Sequence, residues 1–72
     1  MFVKLTMLPH KVDLYLRIED IKTIQRNPEN QLETIVSVNI MTPKGPFGYL
    51  VATAPEDIIG QMLVGGHHKV SN

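Results

Sequence analysis

"TAPEDIIGQML" spans Thr53–Leu63 and is the one stretch of this chain that reads clearly as helix. Thr53 and Glu56 stand at the spacing of a capping box, in which the hydroxyl accepts from the Glu56 N–H and the carboxylate reaches back. Pro55 falls in the first turn, where a missing N–H costs nothing. Glu56 and Asp57 sit near the positive end of the helix dipole. Ile58, Ile59, Met62 and Leu63 form an apolar stripe that needs a surface to cover. Gly60 lowers helix propensity by about 1 kcal/mol relative to Ala, so packing must hold the helix. Gly65 or Gly66 is expected to end it. The helix therefore predicts a lid over one open face or end of another layer.

That other layer reads as β. "FVKLTML" (Phe2–Leu8) places Val3, Leu5 and Met7 on one face and Lys4 and Thr6 on the other. Pro9 interrupts the ladder in the turn Leu8–Lys11. "VDLYLRI" (Val12–Ile18) alternates, with Val12, Leu14, Leu16 and Ile18 opposed to Asp13, Tyr15 and Arg17. The two strands read as a hairpin. "EDIKTIQ" (Glu19–Gln25) fits either one or two helical turns or a corner followed by a short strand at Lys22–Arg26. Its β-branched content favours the corner and strand. "RNPENQ" (Arg26–Gln31) is a loop centred on Asn-Pro. "ETIVSVNIMT" (Glu33–Thr42) is the longest strand, with Val36, Val38 and Ile40 expected on the core face and Asn39 outside. "PKGP" (Pro43–Pro46) turns the chain into "FGYLVAT" (Phe47–Thr53), where Gly48 allows a bulge or a close approach.

The reading is a small α+β fold: an antiparallel β-sheet, or partly open barrel, of four or five strands with one C-terminal helix. Residues 1–64 form the single domain and 65–72 a flexible tail. With 72 residues the core is small, and with no cysteine no disulfide can staple it. Self-association often completes such a core, so a homo-oligomer is expected. Seven basic residues balance seven acidic ones, which argues against a general nucleic-acid binder. No apolar run approaches the roughly 20 residues that span a membrane. The opening Met1–Lys4 lacks the layout of a signal peptide, so a cytoplasmic location is expected.

Strand, hairpin, "LRIEDIKTIQ", "TIVSVNI", turn and "YLVATAPEDIIGQM" follow one another in an order that resembles the FlbD family of small flagellar-operon proteins. Lys4-Leu5-Thr6, Leu16–Ile24, Thr34–Ile40 and Val51–Ile59 occupy the places of that family's opening strand, L-x-x-x-x-I-x-x-I segment, Thr-led strand and acidic ending. Here the Gly turn is lengthened to "TPKGPFG", and Ala52-Thr53 replaces the Glu-Ser before the helix. The resemblance implies a non-enzymatic regulatory protein acting on a protein partner. FlbD-like domains also look similar to small phage-encoded regulatory or anti-defence proteins, which bind host factors or sequester signalling nucleotides. "MFVKLT", "IEDIK" and the closing helix are similar in turn to CsrA-type RNA regulators. That likeness implies an intertwined dimer binding RNA through a basic edge, but "VATAPED" lacks the basic residue that precedes their terminal helix.

Catalytic chemistry finds no support in the residues. Glu19-Asp20 and Glu56-Asp57 are sequence neighbours, whereas a catalytic carboxylate pair must face across a substrate. No nucleophile triad, P-loop or dinucleotide fingerprint is present. No cofactor is implied. His67 and His68 follow Gly-Gly and read as a solvated terminus, so no metal site is expected. The best binding candidate is "PKGPFGYL". Phe47 and Tyr49 share a strand face and can stack on a base or on a partner's apolar anchor, while Lys44 meets phosphate or carboxylate. Both rings can equally pack under the helix or in a subunit contact. Tyr15 and Arg17, on the polar face of the second strand, form a second candidate. A small nucleotide is the alternative ligand.

Overall fold

The computed structural model of the chain describes residues 1–64. β1 (Phe2–Met7) and β2 (Val12–Arg17) form the expected antiparallel hairpin, with Val3 opposite Leu16 and Leu5 opposite Leu14. A single 3-10 turn, Ile18–Asp20, then leads into β3 (Ile21–Asn27). The corner-and-strand reading of Glu19–Gln25 is therefore the one adopted. β3, β4 (Asn30–Thr42) and β5 (Gly45–Val51) make an antiparallel meander. The loop between β3 and β4 is shorter than expected, because two asparagines build the turn. Asn27 Oδ1 accepts from the Glu29 N–H at 3.0 Å, and Asn30 Oδ1 from the Leu32 N–H at 3.1 Å. Each side chain mimics a backbone turn.

The order across the sheet is β2-β1-β5-β4-β3. It is a five-stranded antiparallel open sheet with one C-terminal helix, α1 (Pro55–Leu63). β1 and β5 pair only at Met7 and Val51. Two bonds flank that pair, Leu8 N–H to the Leu50 carbonyl at 2.9 Å and Ala52 N–H to the Thr6 carbonyl at 2.8 Å. Beyond it, side chains from the C-terminal segment replace a strand along β1. Gln61 Oε1 accepts from the Lys4 N–H at 2.8 Å, and Gln61 Nε2 donates to the Lys4 carbonyl at 3.0 Å. The Thr6 N–H donates to Thr53 Oγ1 at 2.9 Å. Buried backbone groups must find partners, and these do.

This corrects the capping box. Ala54, not Thr53, is the N-cap of α1, and no side chain caps the helix. Thr53 is one residue too early, and its hydroxyl is used by β1. The apolar stripe is also narrower than expected. Ile58 is fully buried and Met62 packs against the core, whereas Ile59 and Leu63 face solvent. α1 lies across β1 and β3. It covers a core of Val3, Leu5, Val36 and Val51, with Leu14, Leu16, Ile21, Ile24 and Tyr49 packed around it. Arg26, beside Ile24 on β3, reaches the helix start and donates to both Glu56 oxygens at 3.1 Å. Helix termination by Gly65 or Gly66, the tail and the two C-terminal histidines lie outside the described residues.

Candidate functional site

β4 has 13 residues, so at about 3.3 Å each it runs the length of a molecule that measures 41 × 24 × 19 Å. Its last four residues, Asn39–Thr42, extend past the start of β3, which begins opposite Val38. Together with the first residues of β5 they make a projecting arm. The pairing within the arm is irregular. Ser37 faces Gly48 and Met41 faces Pro46, so β4 holds two more residues than β5 between these pairs. Such a bulge bends a strand and re-aims its side chains. Ile40, expected in the core with Val36 and Val38, is 56 % exposed and lies on the arm, past the start of β3. At the tip Thr42 Oγ1 donates to the Gly45 carbonyl at 2.7 Å and accepts from the Lys44 N–H at 3.2 Å. Gly45 has φ +116°, a region that favours glycine.

At the base of the arm Tyr49 is half-buried against the core, and Phe47 is 40 % exposed. Their centroids are 4.8 Å apart with the ring planes at 84°, an edge-to-face pair. Tyr49 also lines an open cleft of about 160 Å³, together with Leu16, Val38, Ile40, Asn39 and Asp20. Leu16 is on β2 and Asp20 on the 3-10 turn, so the cleft lies where the two strand groups meet. Asn39 Nδ2 donates to the Glu19 carbonyl at 3.4 Å, which ties the arm to that corner. The cleft is thus apolar-walled with one carboxylate and one carboxamide. It suits an apolar group carrying an N–H or a positive charge.

The five residues expected to bind do not form one site. Phe47 and Tyr49 come together as their spacing implied. Lys44 sits at the arm tip, and among the described residues its ammonium has no ion-pair partner. Tyr15 and Arg17 flank Leu16 on β2, so they point to the opposite face from the cleft. There Tyr15 stands across from Lys4, and Arg17 Nε lies 3.8 Å from Glu19. The Glu19 carboxyl is held below its usual range, first by its own backbone N–H and then by nearby positive charges that include Arg17. Asp20, Asn39 and Ile40 were not singled out from the sequence. Asp20 read as a corner residue, and that β4 outruns β3 at Ile40 has no local sequence signal.

Among the described residues no helix is long and apolar enough to cross a membrane. No family model, no curated protein and no solved structure matches this chain.

Proposed function

We propose that the chain is a non-enzymatic regulatory module that acts by protein–protein contact, through the arm face bearing Phe47, Tyr49 and the adjoining cleft. The resemblance to FlbD-like proteins points the same way. In this reading it works in the cytoplasm, phage-encoded and directed at a host factor. The observation that carries the reading is the cleft and its rim. A volume of about 160 Å³ is below the roughly 300–1,000 Å³ of pockets that enclose small molecules, and close to the size of one side chain. Its Asp20 carboxylate repels phosphate and attracts a donor. The exposed Phe47 and Ile40 extend the apolar surface around it. A partner segment would insert one apolar side chain and present an N–H or a cationic group to Asp20. Buried aromatic anchors of this kind carry most of the energy of small interfaces.

The test is affinity capture followed by calorimetry with the purified partner, comparing the wild type with Phe47→Ala and Asp20→Asn. Both variants should weaken binding by about tenfold or more while keeping the wild-type melting temperature. A nucleotide ligand gives a different result. The protein would copurify with excess absorbance near 260 nm (approximately the nucleobase maximum) and be stabilised by that nucleotide in a panel. That outcome, with no loss on Asp20→Asn, would replace this reading by nucleotide sequestration.

A further inference from the structure

The edge of the arm, as distinct from its face, is a second exposed feature. Among the described residues no strand pairs with β4 from Asn39 to Thr42 on the side where β3 lies lower down. Natural sheet edges are blunted by charges, prolines or cover. "NIMT" has neither a charge nor a proline, and Ile40 and Met41 are 56 % and 70 % exposed. Close by are two charges of opposite sign for which the described residues offer no ion pair, Lys44 at the tip and Asp20 at the base.

We propose that this edge pairs with the same edge of a second copy of the chain, antiparallel and two-fold symmetric, with Lys44 of each copy meeting Asp20 of the other. Charge complementarity and register both select this arrangement. Directly opposed residues in an antiparallel pair share a face, so a two-fold axis must pass through a residue facing its own copy. Centring on Ile40 would set Thr42 against Val38, which already pairs with Ile21. Centring on Met41 sets Ile40 against Thr42 and leaves Val38 free. Lys44, the second residue of the Pro43–Lys44 turn, then sits at the arm tip just past Thr42, which faces the partner's Ile40. The tip points at the partner's corner, where Asp20 precedes Ile21 and Ile21 pairs with Val38. The axis is perpendicular to the sheet, so the two Phe47–Tyr49 faces fall on the same side of one continuous sheet.

Sedimentation velocity and native mass spectrometry over a dilution series test this. The wild type should be a dimer that dissociates on dilution, and more readily in high salt. Lys44→Glu and Met41→Lys should each raise the dissociation constant by about tenfold or more, since both place like charges together. Lys44→Glu combined with Asp20→Lys should restore the dimer. Amide chemical shifts of Asn39–Lys44 and Asp20 in the wild type should move with concentration, which checks the contact without any variant. A wild type that stays monomeric to millimolar concentration overturns the proposal. So does a dimer that neither single variant weakens, or one whose shifts map to Ile59 and Leu63 of α1. Asp20 serves both contacts, so Asp20→Asn should weaken both; Phe47→Ala should leave the dimer intact and so separates a failure here from a failure of partner binding on the face.

Discussion

The Gln61 carboxamide both accepts from and donates to the backbone of Lys4, and substitutions can separate the two bonds. Gln61→Leu keeps the apolar bulk and leaves a part-buried N–H and carbonyl unmet, at about 1–3 kcal/mol in urea unfolding. Gln61→Glu keeps the acceptor but turns an oxygen toward the Lys4 carbonyl, so it should also destabilise, and less so at low pH once protonated. Thr53→Val removes the acceptor for the Thr6 N–H and should likewise cost about 1–3 kcal/mol, with Thr53→Ser close to the wild type. Glu56 gives a pH signature. Its carboxyl is held below the ordinary 4.5, first by its own backbone N–H at the uncapped helix start and then by Arg26. A carboxyl whose folded pKa is lowered stabilises the fold above its unfolded pKa, and that stability is lost as pH falls through the folded value. Wild-type stability should therefore drop on acidification below about pH 4.5, and Glu56→Gln should flatten the drop, in urea titrations repeated across that range.

The arm makes a different prediction from the sheet that carries it. Thr34–Ser37 pair on both sides with β3 and β5, whereas beyond Val38 only Met41 and Thr42 pair, with β5 alone and after a bulge. Hydrogen exchange should be faster for amides 39–47 than for 34–37, because local opening of the arm does not require unfolding the core. Gly45→Ala, at a φ of +116°, should widen that gap by straining the tip, and leave protection of Val36 almost unchanged. Equal protection along the whole of β4 would show that the arm is not a separate unit. The strands themselves were legible because alternation is local: Val3 and Leu5, Leu14 and Leu16, and Val36 and Val38 all face the core as read. Ile40 was not, since one strand cannot reveal where its neighbour begins. The pairing of β1 with β5 is likewise a long-range contact that no local pattern encodes. Of the candidate site, the Phe47–Tyr49 pair was legible from its spacing of two. The cleft was not, because Leu16, Asp20 and Tyr49 are brought together only by the sheet order.

At the scale of the whole molecule, the β1–β2 hairpin and the β3–β5 meander share one strand pairing, Met7 with Val51. What joins them further is α1, through Ile58 in the core, Gln61 on Lys4 and Glu56 on Arg26. A 72-residue chain has a total stability of about 4–11 kcal/mol at the usual 0.05–0.15 per residue. Ile58 is fully buried, and Ile58→Ala should cost about 2–5 kcal/mol through lost burial and the cavity left behind. That is a large part of the total, so the variant should be substantially unfolded in mild denaturant. Leu63→Ser, at a site 82 % exposed on the same helix, should change stability by no more than about 0.5 kcal/mol. The decisive observation is how the loss is distributed. If the helix is the joint, hydrogen-exchange protection in β2 and β3 falls together in Ile58→Ala, although neither edge strand touches the other in the sheet order. If β2 loses protection while β3 keeps it, the meander is a self-sufficient unit and the hairpin an appendage to it.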